Sequence, residues 1–223
     1  MAARSRVIAI DGPVGAGKST VARALAQRLG YRYVDTGAMY RSVAWQATHR
    51  GIDLNDRAAV AEVARAIEIE FVPGAGGQRV VAQGTDVTEA IRSPRMSEGA
   101  SIVSAYPEVR EALVALQRRM GVGGEVIMEG RDIGTVVLPD AEVKIYLDAS
   151  LDERARRRHE ELRAKGETVT FEGVREALRE RDHRDSTRAH SPLRAAPDAV
   201  VIDSTTLTVA QIVDEIVQRL PTR

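Results

Sequence analysis

The stretch VIAIDGPVGAGKST, from Val7 to Thr20, decides the fold. Val7 to Ile10 is a short apolar run with β-branched residues, the composition of a strand buried on both faces. It runs straight into Gly12, Pro13, Val14, Gly15, Ala16, Gly17, Lys18 and Ser19, the G-x-x-x-x-G-K-[ST] spacing of a phosphate-binding loop. Behind the loop, Val21, Ala22, Leu25, Ala26 and Leu29 recur at helical spacing. Strand, glycine-rich loop and helix thus follow one another, which is the setting this spacing needs.

The residue types follow from the chemistry. Glycines at 12, 15 and 17 admit backbone angles and close approaches that a Cβ forbids, so successive N–H groups can face phosphate oxygens. The helix behind them adds the positive end of its dipole. Lys18 brings a full charge for the β- and γ-phosphates, and Ser19 a hydroxyl for Mg²⁺. The bland alternative is a glycine-rich turn with a solvated lysine. The complete spacing at the head of a βα unit favours a nucleoside triphosphate site formed by Gly12 through Ser19 and Thr20.

The 223 residues suffice for one α/β domain with room for inserted subdomains. Lys plus Arg and Asp plus Glu each total 32, so the net charge is zero and nothing points to nucleic acid or an acidic membrane surface. The absence of cysteine excludes thiol catalysis, disulfides and thiolate metal sites. The opening MAARSR is too short for a signal segment, and no apolar run approaches the roughly 18 residues of a membrane span. The expectation is a soluble cytoplasmic monomer whose partners are small molecules.

Along the chain, Tyr31 to Asp35 alternates like a second strand and ends at the turn pair Thr36-Gly37. Ala38 to Arg50 reads as a helix closed by Gly51, and Asp53 to Ala66 as another. Glu68 to Val72 and Arg79 to Gln83, around the glycine-rich Gly74 to Gly77, read as a hairpin. Helical patterns return from Ser97 to Met120, with Pro107 suiting a helix start. Glu125 to Glu129, Val143 to Asp148 and Ala199 to Asp203 are further strands; Asp152 to Lys165, Phe171 to Ala189 and Val209 to Leu220 are helices. Five strands alternating with helices predict an α/β fold whose parallel sheet is covered on both faces. The interval from Asp35 to Glu125 far exceeds a βαβ crossover, so it must hold an insertion with its own task.

Arg154, Arg157 and Arg158 share one face of their helix by spacing. They fit a solvated face paired with Glu153, Glu160 and Glu161, or arginines that neutralise a transferring phosphoryl group, and a neighbouring triphosphate site adds weight to the second reading. Arg181, Asp185 and Arg188 stand at i, i+4 and i+7, which fits either an intrahelical ion pair or a polar wall touching a sugar. Glu129, Arg131 and Asp132 follow a strand at its C-terminal end, where open α/β sheets place ligands, and Arg41 stands shortly after another strand end. The histidines at 49, 159, 183 and 190 lie on polar or helix-end stretches and carry no chemistry.

With these residues in hand, the chain resembles the bacterial cytidylate kinases. The resemblance runs nearly end to end: IDGPVGAGKST, DTGAMYR at 35 to 41, IRSP at 91 to 94, EGRDIGTVVLPDA at 129 to 141, KIYLDAS at 144 to 150 and RDHRDSTR at 181 to 188. It implies a nucleoside monophosphate kinase fold of the P-loop class with strand order 2-3-1-4-5. Within a single domain of residues 1–223, it implies a core of 1–50 and 125–223, a monophosphate-binding insertion over 51–124 and a short lid over 150–166. Carried over residue by residue, it puts Arg41, Arg131 and Arg188 near the CMP phosphate, with Thr36 also among the substrate contacts. Ser101, Arg110 and Asp132 are placed around cytosine, and Arg181 and Asp185 at the ribose. Thr36 stands where similar proteins often have Ser, and Glu129 where Asp is common, one methylene closer to a Mg²⁺-bound water.

The implied reaction is ATP plus CMP or dCMP to ADP plus CDP or dCDP, with Mg²⁺. A phosphate acceptor whose second ionisation lies near about 6 is mostly a dianion at neutral pH, so no general base is needed. Lys18, Mg²⁺ and the arginines at 154, 157 and 158 would stabilise the transferring group while Arg41 and Arg131 hold the acceptor. The rivals are a P-loop kinase for UMP, dTMP or a non-nucleotide alcohol, and a GTP-driven switch. The switch lacks support: Asn55 is the only asparagine, so there is no N-K-x-D, and there is no D-x-x-G.

Overall fold

The computed structural model describes residues 6–74 and 77–220. Ala75 and Gly76 of the expected hairpin turn, and residues 1–5 of the opening segment, lie outside them. The chain forms two compact units, one of Met1–Tyr33 with Gly121–Arg223 and one of Val34–Met120.

The first unit opens with β1, Val7–Asp11, buried along its whole length. Helix α1, Lys18–Leu29, starts at Gly17 in the left-handed region and stops at Gly30, whose N–H donates to the Ala26 carbonyl. Strand β2, Arg32–Asp35, carries the chain across to the second unit.

In the second unit, α2 spans Thr36–His49. The expected turn at Thr36-Gly37 is corrected: the Asp35 carboxylate accepts from the Ala38 N–H, so the helix begins at once. Helix α3, Arg57–Ala66, starts four residues later than its apolar pattern suggests, because Asp56 caps it through the Ala59 N–H. The hairpin is present as β3, Ile69–Val72, antiparallel to β4, Arg79–Ala82. A third short strand that the sequence reading missed, β5 at Thr85–Asp86, pairs with β4. A 3₁₀ turn at Ala90–Arg92 leads to α4, Pro94–Val103, capped by Ser93 with Pro in its first turn. Helix α5, Pro107–Gly121, starts at the proline as expected.

Back in the first unit, β6, Val126–Gly130, is fully buried and is followed by a π-helical turn at Ile133–Val137 that the pattern did not reveal. Strand β7, Val143–Asp148, alternates buried and half-buried residues. Helices α6, Leu151–Ala164, and α7, Phe171–Thr187, pack together through Ala155, Leu162, Val174 and Leu178. Strand β8, Val200–Asp203, and α8, Val209–Gln218, close the chain; α8 begins with a reciprocal capping box between Thr208 and Gln211.

The five-stranded sheet runs β2-β6-β1-β7-β8, which in core-strand numbers is the expected 2-3-1-4-5. Pairing is parallel between β1 and β6, β1 and β7, and β7 and β8. On one face Ile8, Ile10, Ile145, Leu147 and Ile202 pack with Val21 and Leu25 of α1 and Ile212, Val213 and Ile216 of α8. Each such side chain contributes about 1.5–3 kcal/mol by leaving water. Ala9, Val126 and Met128 alternate to the other face and are also completely buried, so both faces are covered. Among the described residues, no helix is long and apolar enough to cross a membrane.

Candidate active site

The phosphate loop leaves β1 at Gly12 (φ 146°), where an added Cβ would stand 2.0 Å from the Leu147 carbonyl oxygen on β7. Only glycine lets the chain turn this close to the neighbouring strand. The loop closes with Gly15 and Gly17 at positive φ, and the buried Lys18 side chain folds back over it, its Nζ donating to the Pro13 carbonyl at 2.7 Å. Burial pulls the Lys18 ammonium well below its ordinary range and the nearby Arg131 adds to this, while Glu129 and Asp11 oppose it. A bound polyanion supplies what this lysine lacks.

Asp11, which the sequence reading gave no role, is the hinge of the site. Its carboxylate oxygens accept from the N–H groups of Ile133 and Gly134, both at 2.8 Å, and so cap the π-helical turn from the adjacent strand. The turn begins directly after Arg131 and Asp132, the latter being its N-cap residue. Burial pushes the Asp11 carboxyl up to about 6, although the Gly134 and Ile133 N–H groups oppose the rise. An acidic residue ending an apolar strand was the available signal.

Four of the guanidinium–carboxylate relationships in this unit gather at the C-terminal end of α7. Arg131 Nε donates to Asp185 Oδ2 at 3.0 Å, and Arg181 Nε lies 4.0 Å from the same oxygen. Arg188 Nη2 stands 3.9 Å from Asp132 Oδ1. Burial alone would raise the Asp185 carboxyl, but Arg131, Arg181 and Arg188 outweigh it and hold it below the usual range. Arg188 reaches this cluster from beyond the end of α7, in extended backbone, so the expected i+7 helical face is corrected: Arg188 Nε donates instead to the Ser191 carbonyl. The fourth pair, Arg154 with Asp182 at 2.7 Å, was missed on the acidic side. Glu129, buried at the end of β6, accepts from the Tyr33 hydroxyl.

The three arginines of α6 divide. Arg154 is buried, donating from Nε to the Ala149 carbonyl at 2.9 Å and from Nη1 to the Val14 carbonyl of the phosphate loop at 3.3 Å. Arg157 Nη1 stands 3.8 Å from where a Cβ of Gly17 would be. Arg158 pairs with Glu161 at 2.7 Å, as on a solvated face. Of the histidines, 49, 183 and 190 are exposed, and His159 packs edge-on to Phe171.

The second unit holds its candidates by itself. Arg41 donates to Asp35 Oδ2 at 2.9 Å, across Gly37, where a Cβ would crowd both groups at 3.1 Å. Thr36 is buried. The Arg110 guanidinium, buried, lies 5.6 Å above the Tyr40 ring. Ser101 is buried, and its hydroxyl has no hydrogen-bond partner among the described residues. A buried polar atom left without a partner costs stability unless a ligand completes it.

A parallel sheet in this order, with a glycine loop folded round its own lysine, places the protein among the P-loop nucleoside triphosphate-binding proteins. Residues 8–222 match the family model of cytidylate kinase. The cytidylate kinase of Geobacillus kaustophilus is 51% identical over 95% of this chain and 94% of its own length. That of Pelotomaculum thermopropionicum is 53% identical over 96% and 95%. An uncharacterized protein from Eubacterium ventriosum, solved as a crystal structure, shares the fold alone, with TM-score 0.54 and 13% identity over 98% of this chain and 99% of that one. The chain belongs to the cytidylate kinase family.

Proposed function

We propose that the protein transfers the γ-phosphoryl group of ATP to CMP and dCMP. The observation that carries this reading is the match to cytidylate kinases across residues 8–222, the span that also holds every charged residue of the site. Gly12 to Thr20 take the triphosphate, and the backbone N–H groups of the loop with Lys18 bear its charge.

Mg²⁺ fits the donors present. Ser19 and Glu129 offer hard oxygen ligands, and among the described residues no group of three or more acidic or histidine side chains forms a metal cage of its own. Mg²⁺ of this class is carried by nucleotide phosphates with one or two protein oxygens, so such a cage is not required. Ser19 and Glu129 would hold such an ion, which would supply neutralisation of nucleotide phosphate charge.

The protein's own part is positioning. Arg131, Arg188 and Arg41 hold the acceptor phosphate, Arg181 and Asp185 the ribose, and Asp132, Arg110 and Ser101 the cytosine. Thr36 is a further substrate contact. A carboxylate at the base gains a hydrogen bond from the exocyclic amine of cytosine and meets lone-pair repulsion from the uracil carbonyl. Arg154, Arg157 and Arg158 neutralise the transferring group, and α6 within 150–166 serves as the lid. No residue has to remove a proton from a dianionic acceptor. A coupled ADP-release assay across all nucleoside monophosphates tests this: CMP and dCMP should far outrank UMP and dTMP. Equal rates, or ADP formed without an acceptor, overturn it.

A further inference from the structure

We propose that Ser204 is a positioning residue that aims Arg157 at the phosphate loop. Ser204 follows β8, is 2% exposed, and anchors itself through its N–H to the Asp148 carbonyl at 2.8 Å. Its hydroxyl donates to the Ala16 carbonyl of the phosphate loop at 2.9 Å. A hydroxyl has one proton, so that bond fixes its lone pairs. Arg157 Nη1 donates to this oxygen at 3.1 Å, and Nη2 donates to the Ser204 carbonyl at 2.6 Å.

The remaining Nε of Arg157 donates to Glu153 at 2.7 Å, which fixes the guanidinium plane from the other side. The group is thereby clamped at both edges, with Nη1 over Gly17. Of the arginines on α6, Arg157 is the one tied to the loop through an intermediary side chain. Arg154 reaches the loop directly, and Arg158 pairs along its own helix. A guanidinium held in place needs no reorganisation when charge develops on the phosphoryl group, and that is where its catalytic value lies. Ser204 thus registers the loop and the α6 helix to each other through one oxygen atom.

This inference rests on the kinase reading, in which Arg157 meets the transferring phosphoryl group. The test is a double-mutant cycle on the full chain, with CDP formation by the unmodified protein measured first so that failure of that reading shows separately. Ser204→Ala should lower kcat/KM for ATP at saturating CMP by about tenfold, with KM for CMP unchanged. In the Arg157→Ala background the same change should add less than about twofold. Losses that multiply, or a fully active Ser204→Ala, overturn the proposal. An Arg157→Ala variant as active as the unmodified protein overturns it too, while CMP phosphorylation stands. Should Ser204→Ala not fold, Arg157→Lys decides. Lysine keeps the charge but cannot bridge both Ser204 oxygens, so its loss should approach that of Arg157→Ala; near-normal activity overturns the proposal.

Discussion

The Nε of Arg131 donates to Asp185 Oδ2 at 3.0 Å, joining the loop after β6 to the last turn of α7. The acid is 5% exposed and its pKa is held down by three arginines against the cost of burial. A folded-state pKa below the unfolded value gives stability that is present above about pH 4 and lost as pH falls through the folded value. Asp185→Asn should therefore show a shallower acid-side loss of stability in urea unfolding across pH. It should also weaken CMP, raising KM by about tenfold or more, since Arg131 and Arg181 lose their shared counter-ion.

Asp11 has the opposite sign. Its carboxyl is raised from 3.8 to about 6, so the folded state binds the proton more tightly than the unfolded chain in that window. In the protein without nucleotide, this group makes stability fall as pH rises from about 4 to about 6, by at most about 1.4 kcal/mol per pH unit. Asp11→Asn should remove that component. An unchanged difference between the two pH profiles would mean that Asp11 titrates elsewhere.

At Gly12 the prediction is steric. A methyl group 2.0 Å from the Leu147 carbonyl has no room, and φ 146° is closed to L residues. Gly12→Ala should cost about 3 kcal/mol or more, read as a drop in thermal midpoint, and should weaken ATP binding with it.

Lys18→Ala should lower kcat by about a hundredfold or more while the fold persists, because the lost charge acts mainly on the transition state. Near-normal turnover in steady-state assays would remove Lys18 from the mechanism.

Ser101→Ala tests the cytosine contact. The hydroxyl is buried with no hydrogen-bond partner among the described residues, so its loss should leave stability unchanged or slightly improved. KM for CMP should rise by about tenfold and KM for ATP should not move; a variant less stable than the parent with an unaltered KM would assign Ser101 to the fold instead.

The fold was legible because its determinants are local. An apolar run, a glycine loop of fixed spacing and a helical repeat each declare themselves within a few residues, and the five strands with their connections then leave few topologies. Boundaries were less legible where a side-chain cap overrides the apolar pattern, as at Asp35 and Asp56. The capping oxygen, not the periodicity, sets the first turn.

In the site, sequence by itself determined the phosphate loop and the inventory of arginines and carboxylates, since these residue types and spacings carry their chemistry with them. Only the tertiary structure decided which charge meets which. It set Arg188 beside Asp132 from beyond a helix end, buried Arg154 against Asp182, and made Asp11 a cap and Ser204 a clamp. Those pairings depend on distances of about 3–4 Å between segments as many as 188 positions apart in the chain, and a polar contact falls off too steeply with distance for any pattern along the sequence to specify it.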